Sequence, residues 1–105
     1  MVFNTTENDE YSGKPDRKYI EFFLSEFANY TQIVRKNNDK EIDAATVALI
    51  VILPNDKIRE ELMKEYSNKK NTLGILTSSA IISGKIMSHA SDTLGFTKEE
   101  MGGFL

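Results

Sequence analysis

A chain of 105 residues, 40% of them hydrophobic and 28% charged, has room for one globular core and lacks the low-hydrophobicity, high-charge composition of disorder. Its formal charge of −3 argues against a surface built throughout for polyphosphate, because duplex binding draws most of its affinity from clustered Lys and Arg. With no cysteine, disulfides, thiolate nucleophiles and the common cysteine-bearing zinc sites are excluded, and the fold must hold by packing.

Residues 1–15, MVFNTTENDEYSGKP, show no apolar periodicity and finish in Ser12, Gly13 and Pro15. That composition predicts a flexible N-terminal arm, with a single helical-bundle domain over 16–105. The arm is polar and acidic, without the basic start and apolar middle of a signal peptide. The longest apolar run, Ala44 to Leu53, is about half of the roughly 20 residues a membrane-spanning helix needs. A soluble, cytoplasmic protein with no membrane partner is the expectation.

The first structured segment is DRKYIEFFLSEFANYTQIVRKN. At about 100° per residue, Tyr19, Ile20, Phe23, Leu24, Phe27, Tyr30 and Val34 share one face, while Lys18, Glu21, Ser25, Asn29, Gln32 and Lys36 lie opposite. The spacing predicts a helix over 16–36. Phe22 and Ile33, with Tyr19 near them, fall on its shoulder, outside the centre of the apolar stripe. Left exposed there, they would form an apolar patch of the kind that marks an interface.

KNNDKE interrupts the periodicity, and Asn38 followed three residues later by Glu41 matches a helix start, giving a second helix over 39–53. Its core, IDAATVALIVIL, is apolar on all sides, as in a helix buried at the centre of a bundle, although its β-branched content also suits a buried strand. We favour the helix, because no second strand candidate exists to pair with it. Pro54 stops it by driving Leu53 out of the α region. Asn55 or Asp56 then caps a third helix over 56–69, with Ile58, Leu62 and Tyr66 on a narrow apolar stripe, Met63 beside them, and the rest facing solvent.

SNKKNT reads as a turn, with Asn71 or Thr72 capping a fourth helix over 72–94 that Gly95 closes. Leu73, Ile75, Leu76, Ala80, Ile82, Ile86, Met87, Ala90 and Leu94 occupy about half its circumference. Ser79, Ser83 and Ala90 lie in the middle of that half, where small side chains let another helix approach closely, within the bundle or across a homodimer seam. Gly74, Ser78, Lys85, Ser88, His89 and Asp92 make the opposite stripe, with Ile81 as its one apolar exception. Thr97 with Glu100 marks a short fifth helix over 97–101, ended by Gly102 and Gly103. The fold class is therefore all-α, a compact bundle of four main helices plus a short C-terminal helix.

Chemistry-bearing motifs are sparse. His89, with Asp92 three residues on and Lys85 four before, resembles an oriented imidazole, yet no nucleophile or polarising partner accompanies it, and a solvated surface histidine is the simpler reading. Ser78, Ser79 and Ser83 lack the elbow or S-x-x-K surroundings of a nucleophile. Gly74 and Gly84 with Lys85 do not have the spacing of a phosphate loop. No catalytic residue, metal, cofactor or small-molecule substrate is expected.

The functional expectation is a non-enzymatic helical binding protein that self-associates or docks on a larger protein to modulate it, with Tyr19, Phe22, Ile33, Phe104 and Leu105 as contact residues. Aromatic anchors carry much of the energy of an interface, and the last two follow a glycine pair. Abundant Lys, Asn and Ile is a composition that AT-rich coding sequences, such as those of mobile elements, tend to produce. The rival expectation is a nucleic-acid-binding regulator using Lys69, Lys70, Asn71 and Thr72, where two cations precede a helix start. Leu73, Ile75 and Leu76, standing where base-reading side chains belong, weigh against it.

Overall fold

The fold comes from a computed structural model, which describes residues 17–96 and Glu99. Four helices follow one another: α1 (Arg17–Arg35), α2 (Asp39–Val51), α3 (Asp56–Leu73) and α4 (Ile75–Leu94). Among the described residues there is no strand, and the segment that also suited a buried strand is helical. The predicted arm over 1–15 and fifth helix over 97–101 lie outside the described residues, apart from Glu99.

Local chemistry sets the helix ends. The Asn38 side chain accepts a hydrogen bond from the Glu41 amide at 3.0 Å, and Asn55 accepts one from Ile58 at 2.9 Å. Each satisfies one of the amide donors that a helix start leaves without an intrahelical partner. Gly95 takes a left-handed conformation (φ 77°) and its amide bonds to the Ser91 carbonyl, closing α4. The chain then turns Phe96 back into the core, where its ring stacks on Phe23 at 6.2 Å.

The core forms from the predicted stripe of α1. Ile20, Phe23, Leu24, Phe27 and Tyr30 are buried against Leu49, Ile50 and Leu53 near and beyond the end of α2, Leu62 and Tyr66 of α3, and Ile82, Ile86, Ala90 and Leu94 of α4. α2 is the central element, packing on each of the other three helices. It is not enclosed on all sides: Ala44, Ala48 and Val51 face outward. Three neighbours cover only part of a helix's circumference, so its apolar sequence outruns the cover available.

Two readings of the α3–α4 region are corrected. SNKKNT is not a turn: α3 runs through it to Leu73, so Asn71 and Thr72 lie inside a helix and neither caps α4. Asn and Ser cost only a few tenths of a kcal/mol each in a helix interior. Lys70 of that segment and Tyr66 just before it are held by α2, and the Thr72 hydroxyl bonds back to the carbonyls of Asn68 and Lys69. The break falls at Gly74, whose φ of 86° and ψ of 168° belong to a region open essentially to glycine.

The buried face of α4 is also rotated from the expected one. Ser78, placed on the polar stripe, is fully buried, whereas Leu76 and Ala80 of the expected apolar half are exposed. Ser78 and Ser79 enter the core because their hydroxyls donate to the Gly74 and Ile75 carbonyls one turn back, at 2.6 and 2.5 Å. With that polarity satisfied, two small side chains allow α2 and α4 to approach closely.

Candidate docking surface

Between α2 and α3 lies a polar clamp. The Tyr66 hydroxyl donates to Asp43 Oδ1 at 2.7 Å, and Lys70 Nζ donates to the same oxygen at 3.0 Å while standing 5.2 Å from the centre of the Tyr66 ring. Hydrogen bonding by Tyr66, and then by Lys70, holds the Asp43 carboxyl below its ordinary value despite partial burial. Burial first, and then the Asp43 carboxylate, push the Tyr66 phenol well above its ordinary value. On the far side of α2, the Tyr30 hydroxyl donates to the Ser79 carbonyl at 3.2 Å and Thr46 Oγ1 lies 3.3 Å from Tyr30, tying α1, α2 and α4 together.

These groups are spent on structure. Lys69 and Lys85 converge on Glu65, at 3.5 and 2.6 Å, and their cations hold its carboxyl below the ordinary value, with the Lys85 hydrogen bond the largest contribution. The four residues of the nucleic-acid expectation therefore stand as follows: Lys69 and Lys70 are paired with Glu65 and Asp43, and Asn71 and Thr72 are exposed on the last turn of α3. His89 is half-buried and makes no ion pair with Asp92. Among the described residues no group of three His, Asp or Glu side chains is arranged to hold a metal ion.

Among the charged side chains of the surface stand several exposed apolar ones. Phe22 is 45% exposed and Val51 53% exposed. Tyr19 is half-buried, its ring 5.9 Å from that of Phe22, and burial raises its phenol although Arg59 nearby opposes the shift. Ile33 is half-buried along a shallow groove of about 110 Å³ between α1 and α2, with Glu26, Asn29, Ala45, Ala48 and Leu49 as its other main walls. Phe22, Glu26, Asn29 and Ile33 follow the i, i+4, i+7, i+11 spacing of one helical stripe, so the shoulder residues of α1 share its α2 flank. Phe104 and Leu105 lie outside the described residues.

A second apolar region lies on α4, whose apolar half the sequence offered as a bundle crossing or a homodimer seam. Leu76, Ala80 and Ser83 of α4 face Phe27, Thr31 and Val34 of α1 across a groove of about 290 Å³, with Arg35 at its end. Leu76 is exposed on its wall, and Leu73 and Ile81 are exposed elsewhere on the same stretch of chain. One sequence signal was available: no charged residue occurs between Lys70 and Lys85, although nine of those fourteen residues are exposed. Among the described residues no helix is long and apolar enough to cross a membrane. Comparison with family models, curated proteins and solved structures gives no match of any of the three kinds.

Proposed function

We propose that the protein is a non-enzymatic helical module that works by association, docking on a larger protein or on itself through apolar side chains outside its core and so modulating its partner. The observation that supports this reading is the exposure of Phe22 beside Tyr19 on the α2 flank of α1, continued by Ile33 along the α1–α2 groove. A solvent-facing Phe next to a second ring supplies the aromatic anchor on which interface energy usually concentrates, and Glu26 and Asn29 supply the polar rim.

The titratable clusters point the same way. Asp43, Tyr66, Lys70, Glu65 and Lys85 have their hydrogen-bonding capacity directed at one another across helices rather than into an open site. A nucleic-acid reading through Lys69 and Lys70 would require phosphate to displace two carboxylates already seated on those cations.

The experiment is capture from nuclease-treated native extract by the tagged protein, beside a Phe22→Asp/Ile33→Asp variant. Loss of the captured protein in the variant, with an unchanged helical signal, is the expected result. Equal capture by both proteins removes the α1 flank from the account.

A further inference from the structure

The groove between α1 and α4 has the make-up of a site for a small apolar acid. Phe27 and Val34 of α1 and Leu76 and Ala80 of α4 wall a space of about 290 Å³, near the lower end of the range for small-ligand pockets. It follows two turns of each helix, from Phe27 to Val34 and from Leu76 to Ser83, which is roughly 10 Å at about 1.5 Å per residue. An extended alkyl chain of about eight carbons has that length, whereas a partner helix of ordinary size is longer.

The polar groups of the groove decide what can bind. Three hydroxyls line it, and each is committed to a backbone carbonyl: Tyr30 donates to Ser79 at 3.2 Å, Thr31 to Ala28 at 2.7 Å and Ser83 to Ala80 at 3.0 Å. A hydroxyl has a single proton to donate, so none of the three has a donor left for a ligand. Arg35, at the Val34 end, is the exception. Among the described residues its guanidinium makes no ion pair, and no carboxylate stands among the lining side chains. A fixed positive charge with a fork of N–H donors therefore meets the end of an apolar channel. A sugar would lose its water to walls without donors, and a cation would be repelled.

We infer that this groove binds a medium-chain monocarboxylate, its carboxylate paired with the Arg35 guanidinium and its alkyl chain laid between Phe27 and Ala80. The two-turn length and the single charge at one end commit the site to a free acid rather than to an acidic helix of a partner. The inference goes beyond the association reading and uses the α4 flank of α1, not the α2 flank that carries Phe22.

Titration of the isotope-labelled full chain with sodium octanoate, followed by amide spectra, tests it. Shifts at Thr31, Val34, Leu76, Ala80 and Ser83 should saturate with a Kd of roughly 0.1–1 mM, the affinity expected of about ten non-hydrogen atoms. Butyrate should bind at least about tenfold more weakly, since each fully buried methylene contributes about a fourfold factor. Octylammonium, of equal length and opposite charge, should not bind there. Arg35→Gln should weaken octanoate binding at least about fivefold. Ala80→Leu, which fills the groove from an exposed helical position, should abolish the shifts, and equal helical signals establish that both variants are folded. The Phe22→Asp/Ile33→Asp variant should bind octanoate as wild type does, so this inference and the docking proposal fail separately. Three results overturn the inference: no saturable shift at about 5 mM octanoate, octylammonium binding as tightly as octanoate, or Arg35→Gln binding as tightly as wild type. Shifts at the groove with an acid-ended apolar peptide but none with octanoate would also overturn it, making the groove a peptide seat.

Discussion

The Tyr66 hydroxyl and the Asp43 carboxylate meet at 2.7 Å across the α2–α3 interface, with Lys70 sharing the same carboxylate oxygen. Tyr66 has no solvent exposure, so its hydroxyl has little recourse to water if the acceptor is lost. Tyr66→Phe should cost about 1–2 kcal/mol, since Lys70 continues to neutralise Asp43, whereas Asp43→Leu should cost about 2–3 kcal/mol by stranding a buried phenol and a half-buried ammonium together. Urea unfolding of the two variants at neutral pH gives both values, and Asp43→Leu should be the worse.

The same groups set the pH response. Asp43 and Glu65 are held below their ordinary values of 3.8 and 4.5, so their stabilisation is full above the ordinary carboxylate range and is lost as pH falls below it, when the folded state must take up protons it binds poorly. Tyr66 is shifted the other way from 10.0, so its contribution is intact below pH 10 and declines above it, where the unfolded chain releases a phenolic proton that the folded chain keeps. Stability against pH should be flat across neutrality and fall at both ends, and phenolate absorbance should show Tyr66 ionising only with unfolding. Full titration of every phenol in a chain that remains folded would contradict this.

The two described helix-break and mid-helix glycines should respond to alanine with opposite signs. Neither position has a neighbour within 4 Å of an added methyl, so crowding plays no part. Gly74 holds φ at 86°, a conformation closed to other residues, and Gly74→Ala should destabilise by about 1–3 kcal/mol. Gly84 lies in regular helix, and Gly84→Ala should stabilise the monomer by about 1 kcal/mol. Thermal unfolding at low protein concentration reads both without interference from self-association.

Asn38→Ala and Asn55→Ala each remove one capping hydrogen bond, at the starts of α2 and α3. Each should cost about 1 kcal/mol, and the double variant should show the sum, because the two caps share no partner. A cost near zero for either, in urea midpoints, would mean that water or a neighbouring group replaces the side chain.

Much of this architecture is written locally in the chain. The apolar stripe of α1, the Asn38 and Asn55 caps, the stop at Pro54 and the left-handed Gly95 each follow from residue chemistry within a turn or two. What could not be read there depended on tertiary partners. Ser67, Asn68 and Asn71 have the composition of a turn, but α3 continues because Tyr66 and Lys70 find Asp43 twenty-three and twenty-seven residues away. Ser78 looks solvent-facing until its hydroxyl is seen to be satisfied within α4. Similarly, α2 is apolar around its whole circumference, and nothing local tells Val51, left outside, from Ile50, fully buried. The shoulder position of Phe22 was legible as a departure from the stripe of α1. Exposed Leu76 was not, since it falls on the apolar half of its own helix.

The association account is tested most directly by capture from nuclease-treated native extract with the tagged protein beside its Phe22→Asp/Ile33→Asp variant, the two having equal helical signals. It predicts that wild type retains a bound protein that the variant loses. Equal capture by the two proteins, or capture by neither, would contradict it.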